Sequence, residues 1–115
     1  MNMQRLVVLI SLVFVTSAVA DTIFVPVGGD IQKAINIAQP GDVIQLEEGV
    51  YETAFTINMI GREVKILGTV DASGFLGSVI DGNNSTPIEC DSNEGPTTVF
   101  ENLVLRNCHH GIRLQ

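Results

Sequence analysis

Beyond residue 40 the chain is a succession of very short apolar segments, each cut off by Gly, Asn or Asp, and this punctuation leaves few folds open. Val43–Leu46 is followed by Gly49, Phe55–Asn58 by Gly61, and Val64–Leu67 by Gly68. Val79-Ile80 runs into Asp81-Gly82-Asn83-Asn84; Ile88–Asp91, Thr98–Phe100, Leu103–Leu105 and Ile112–Leu114 complete the series. Apolar segments this short, bounded by turn residues, read as strands. No helical periodicity interrupts them, which argues against an alternating βαβ protein.

The spacing favours stacking over hairpins. Ile88-Glu89-Cys90 and Ile112-Arg113-Leu114 align 24 residues apart, and Phe55-Thr56-Ile57 would stand above them after a longer coil holding the Ala72–Gly77 insertion. Three strands per coil, each lying on its copy in the next, bury a continuous apolar column. The fold class expected is all-β, a right-handed parallel β-helix. Alternation then turns Ile88 and Cys90, Leu103 and Leu105, and Ile112 and Leu114 inward. Asn107, just past a strand, is placed either to satisfy turn backbone groups or as an exposed loop residue.

Ahead of the coils, Thr22–Val25 reads as a first strand ended by Pro26 and Gly28-Gly29. Asp30 is a good N-cap, and Ile31, Ala34, Ile35 and Ala38 fall at i, i+3, i+4 and i+7. That spacing predicts a helix of about nine residues, closed by Pro40-Gly41. Its single apolar stripe must lie on something apolar.

Residues 1–20 read as a secretory leader. Met1–Arg5 carries one positive charge, Leu6–Val15 is apolar apart from Ser11, and Ala18-Val19-Ala20 has the small-x-small pattern of a cleavage site. The apolar run is too short for a spanning helix, so no membrane span is expected after cleavage. No Cys follows the site, which argues against a lipid anchor. Losing Arg5 takes the formal charge from −7 to −8. Such acidity disfavours nucleic acid and anionic lipid as partners, and polyanionic sugars too unless Ca²⁺ bridges the like charges. Trp is absent and Tyr51 is the only Tyr, leaving few platforms for stacking on sugar. Cys90 and Cys108 are the only cysteines. In an oxidising compartment a Cys90–Cys108 disulfide and two buried thiols both remain open.

Three stretches taken in order carry a resemblance: Ile31-Gln32-Lys33-Ala34-Ile35, Pro40-Gly41-Asp42-Val43-Ile44, and Glu48-Gly49-Val50-Tyr51. They resemble the opening of the pectin-lyase-like right-handed β-helix proteins. Ser78–Asn83 and Phe100–Cys108 resemble the coils that follow. The resemblance implies that the segment 21–41 is a first strand with an N-terminal capping helix, and that 42–115 forms β-helix coils. It also implies that Gly41-Asp42 turns the chain into the first coil, and that Gly49 and Tyr51 mark the turn into the next strand, with Tyr51 packing. Family members run through many coils, so two coils and the start of a third are expected to be a fragment of a longer protein, or a chain whose open edge a partner covers.

Family enzymes carry acids, bases and Ca²⁺ ligands on one outward face. Here Glu89 and Asp91 alternate outward on one strand, and Arg113 should stack on Glu89 from the next coil. Carboxylates two residues apart on a strand, roughly 7 Å, suit either Ca²⁺ or an acid–base pair acting on a sugar. The plainer reading is an exposed ion pair. His109-His110-Gly111 is similar to the His-Gly element of polygalacturonase-like hydrolases but lacks their paired aspartates, so it reads as a turn between coils. Asp81-Gly82-Asn83 reads as a turn. Asn83-Asn84-Ser85 and Asn84-Ser85-Thr86 are both glycosylation sequons, the second weakened by Pro87 just after it.

Two functions are expected from this. The first is a secreted or cell-surface module, non-catalytic and without cofactor, presenting a strand face to a polysaccharide or a surface protein. The alternative is the N-terminal part of a polysaccharide lyase or glycoside hydrolase with catalytic coils beyond Gln115.

Overall fold

The computed structural model describes residues 20–53, 56–92, 95 and 98–114. Residues 1–19 of the 1–20 leader, Phe55 and Gln115 lie outside the described residues. The chain forms β1 (Thr22–Val25), α1 (Ile31–Ile37), β2 (Val43–Leu46), β3 (Gly49–Glu52), β4 (Ile57–Asn58) and β5 (Lys65–Leu67). It continues through β6 (Ser78–Ser85), β7 (Ile88–Cys90), β8 (Val99–Glu101), β9 (Leu103–Cys108) and β10 (Ile112–Leu114).

These strands make a parallel β-solenoid of about three turns. Sheet A is ordered β1-β2-β5-β8, sheet B β3-β6-β9, and sheet C β4-β7-β10. Coil 1 is therefore β2-β3-β4, coil 2 is β5-β6-β7 and coil 3 is β8-β9-β10, with β1 and α1 ahead of them. Because every pairing is parallel, like positions stack. Ile44, Ile66 and Phe100 share one column, Tyr51, Ile80 and Leu105 a second, and Ile57, Ile88 and Ile112 a third. The first two members of each column are buried and the coil 3 members are packed against them.

The helix forms as its sequence dictates. The Asp30 carboxylate accepts the Lys33 N–H at 3.1 Å, occupying one of the donors a helix start leaves open. The helix stops where the Ala38 N–H turns to Ile35 O at 3.2 Å. Ile31, Ala34, Ile35 and Ala38 are all buried and join the solenoid core, with α1 lying on β1 and β4. Fully burying Ile35 alone contributes about 2–3 kcal/mol. No helix among the described residues is long and apolar enough to cross a membrane.

Gly41 and Asp42 fix the first turn. Gly41 sits at φ 91, and the buried Asp42 after it accepts the N–H groups of Asp21 at 2.9 Å and Gln39 at 2.8 Å. Those bonds, the Asp21 N–H first, hold the carboxyl below its ordinary pKa despite burial. Tyr51 is buried inside coil 1, and burial pushes its phenol up.

The structure corrects the sequence reading in three places. Gly49–Glu52 is not a turn but β3, paired with β6; Gly49 is required at its head because φ is 139 and a Cβ would run into Val27 Cγ2. Ile57, not Phe55, pairs with Ile88, a shift of two residues that keeps the inward facing. Asp81-Gly82-Asn83 does not end a strand: β6 runs on to Ser85 across an irregularity in its ladder. Leu114 shares the facing of Ile112 and is 75% exposed, as expected where no strand among the described residues lies beyond β10. The Ala72–Gly77 insertion is a small projection between β5 and β6, closed by an antiparallel bridge from Val70 to Leu76 and by Asp71 accepting the N–H groups of Ser73 and Phe75.

Candidate functional site on the outward face of sheet C

The register of sheet C brings Asn58, Glu89 and Arg113 into one outward line. Arg113 Nε stands 3.3 Å from Glu89 Oε1, with side-chain exposures of 50% and 22%. This is the stacking expected from the 24-residue spacing. Partly exposed pairs of this kind contribute under about 1 kcal/mol, so the contact sets geometry more than stability.

Asp91, just past β7, is exposed, and its Oδ1 accepts from Asn58 Nδ2 at 3.2 Å and Ser92 Oγ at 3.1 Å. The Asn58 amide is held at its other end too, where Oδ1 accepts the Ile60 N–H at 2.8 Å. The backbone of Asn58 is gripped in turn by Gln32 of α1. Its N–H donates to Gln32 Oε1 at 2.7 Å and its carbonyl accepts from Gln32 Nε2 at 2.9 Å. The cap helix thus positions the first member of the polar line.

The sequence reading put Glu89 and Asp91 on one strand with Arg113 stacked on Glu89; the structure joins Glu89 to Arg113 but ends β7 at Cys90, before Asp91, which bonds Asn58 and Ser92 instead. The sequence reading missed Asn58 and Gln32. The signal was the outward alternation of Asn58 after Ile57, hidden because its partner Glu89 lies beyond the insertion. Chemically, the face offers fixed acceptors (Glu89, Asp91) beside fixed donors (Asn58 Nδ2, the Arg113 guanidinium) at the strand spacing of about 4.8 Å. As a Ca²⁺ site the set fits poorly: the cation takes roughly six to eight oxygens, and these carboxylates already face a guanidinium and an amide. Among the described residues no group of three or more His, Cys, Asp or Glu side chains is arranged for a metal.

Sheet B carries a second line, Glu52, Asp81 and Arg106. Asp81 accepts from the Asn83 N–H at 2.9 Å, Asn107 Nδ2 at 3.1 Å and Arg106 Nε at 3.2 Å. The Asn83 N–H foremost, then Asn107, hold its carboxyl below the ordinary range. Asn107, at φ 56, therefore serves a carboxylate one coil away rather than turn backbone groups. Glu52, Thr53, Asp81, Asn83 and Asn107 line an open cleft of about 510 Å³. Sheet A adds Lys65 to Glu101 at 3.4 Å, so among the described residues each sheet shows an ion pair joining coil 2 to coil 3.

His109 and His110 are exposed between β9 and β10, where the His109 N–H bonds Ser85 O at 3.0 Å. Cys90 is buried on sheet C and Cys108 half-buried on sheet B, and the two stand as thiols. Comparison of the chain with protein-family models, with curated proteins and with solved structures finds no match.

Proposed function

We propose that the chain is a secreted or cell-surface β-helix module of the pectin-lyase-like kind, whose sheet C face binds a neutral glycan without chemical turnover. The observation that supports this is the tethering of the outward line. Glu89 is tied to Arg113 at 3.3 Å, and Asp91 to Asn58 at 3.2 Å. A catalytic carboxylate pair needs one member poised to give or take a proton and a reacting atom between them. Carboxylates already committed to a guanidinium and an amide are instead preset acceptors, and sugar hydroxyls supply matching donors. The formal charge of −7 favours neutral over uronate polymers.

The reading is tested by titrating neutral and uronate oligosaccharides into the protein and following heat. Binding of a neutral glycan that is lost in Arg113→Ala and retained in Lys65→Ala, on sheet A, is the expected outcome. Binding unaffected by Arg113→Ala, or cleavage of any polysaccharide abolished by Glu89→Gln, would overturn it.

A further inference from the structure

Between Asp81, opposite Arg106, and Ser85, opposite Cys108, β6 leaves its ladder. Gly82, Asn83 and Asn84 fill that interval against the single residue Asn107 on β9, so the backbone of coil 2 swells at this corner. Asn83 and Asn84 both adopt the left-handed conformation, at φ 50 and 61, which Asn takes more readily than other residues with a side chain. Asn83, Asn84 and Ser85 are exposed, while Pro87 behind them is buried and its carbonyl accepts the Ile57 N–H at 2.7 Å. The corner is thus a firmly anchored bend whose two asparagines face no ladder partner.

We infer that Asn84 is an acceptor of an N-linked glycan when the chain passes through a eukaryotic secretory pathway, an inference that rests on the secretory reading of residues 1–20. Asn84-Ser85-Thr86 supplies the hydroxyl two residues after the amide that the acceptor sequence demands. In the transfer, Asn84 Nδ2 forms a bond to C1 of the sugar as the bond from C1 to a lipid-linked pyrophosphate breaks. The amide loses one proton, the lipid pyrophosphate departs, and no electron changes hands. Asn83 belongs to an overlapping acceptor sequence, but its side chain lines the cleft with Glu52 and Asn107, and its N–H is bound to Asp81. A sugar there would crowd that cleft. At Asn84 a bulky, solubilising group is accommodated without displacing a ladder hydrogen bond.

The test expresses the full chain with its own leader in a eukaryotic secretory cell line and analyses the medium by mass spectrometry, before and after peptide N-glycosidase. Two corner variants separate the overlapping sequons without straining the left-handed residues: Ser85→Ala leaves only the Asn84 acceptor, and Thr86→Ala leaves only the Asn83 acceptor. The expected result is one glycan on the secreted wild type and on Ser85→Ala, none on Thr86→Ala, and an aspartate left at position 84 after enzymatic release. A glycan kept in Thr86→Ala and lost in Ser85→Ala overturns the assignment, as does secretion of an unmodified wild type. Retention of an unmodified chain inside the cell overturns the secretory reading and this inference with it.

Discussion

The Tyr51 hydroxyl donates a 2.6 Å hydrogen bond to the carbonyl of Val25, 26 residues earlier, and so ties coil 1 to the strand that precedes it. The same oxygen accepts the N–H of Glu47 at 2.8 Å, closing the turn between β2 and β3. Tyr51→Phe keeps the ring and removes both bonds, leaving the Val25 carbonyl without this donor in the interior. The expected cost is about 1–3 kcal/mol of unfolding free energy, read by denaturant titration with circular dichroism. Unchanged stability would mean that Tyr51 serves only as packing.

The cap makes a second expectation concrete. Ile35 is fully buried beneath α1, so Ile35→Asp places an unpaired charge in the core and costs on the order of 3–5 kcal/mol. Asp30→Ala removes the N-cap bond for about 1 kcal/mol. Lys33→Ala, on the exposed side, stays within about 0.5 kcal/mol. Thermal melts of the three variants check the order; a tolerated Ile35→Asp would show that α1 does not seal the column.

Acid should loosen the fold through Asp42 and Asp81. Both carboxyls are held below the ordinary value of 3.8, Asp42 by the Asp21 and Gln39 N–H groups and Asp81 foremost by the Asn83 N–H and the Asn107 amide. A native pKa below the unfolded one means that the unfolded chain takes up protons first as pH falls. Their stabilisation is therefore complete above the unfolded value and is lost as pH drops through the native one. The melting temperature is expected to fall steeply below about pH 4. Asp42→Asn should start lower at neutral pH, because its amide keeps one acceptor oxygen where two N–H groups converge, and should lose less on acidification. Identical acid limbs in wild type and Asp42→Asn would refute the role given to Asp42.

What was legible in the sequence follows how local each signal is. The helix was readable because Asp30 and the stripe Ile31, Ala34, Ile35 and Ala38 lie within nine consecutive positions. The Glu89–Arg113 pair was readable because coil 3 repeats coil 2 on sheet C without an insertion. β3 was not: Gly49-Val50-Tyr51-Glu52 opens on a glycine, and its partner Ser78 lies across the projecting 72–77 segment. The same segment offset the register of β4 by two residues. Asn58 and Asn107 were missed as partners of Asp91 and Asp81 because those bonds join side chains 33 and 26 residues apart. No local pattern encodes such a distance.

Everything proposed for the outward face depends on coils stacked in parallel, with Ile57 on Ile88 and Ile88 on Ile112. The most direct measurement is scalar coupling across hydrogen bonds in isotope-labelled protein by NMR. The Met59 amide nitrogen is expected to couple to the carbonyl carbon of Glu89, Lys65 to Asp42, and Val99 to Val64, matching bonds of 3.0, 3.0 and 3.1 Å. Couplings that instead join each strand to its neighbour in sequence would reveal antiparallel hairpins, and the line of Asn58, Glu89 and Arg113 would not exist.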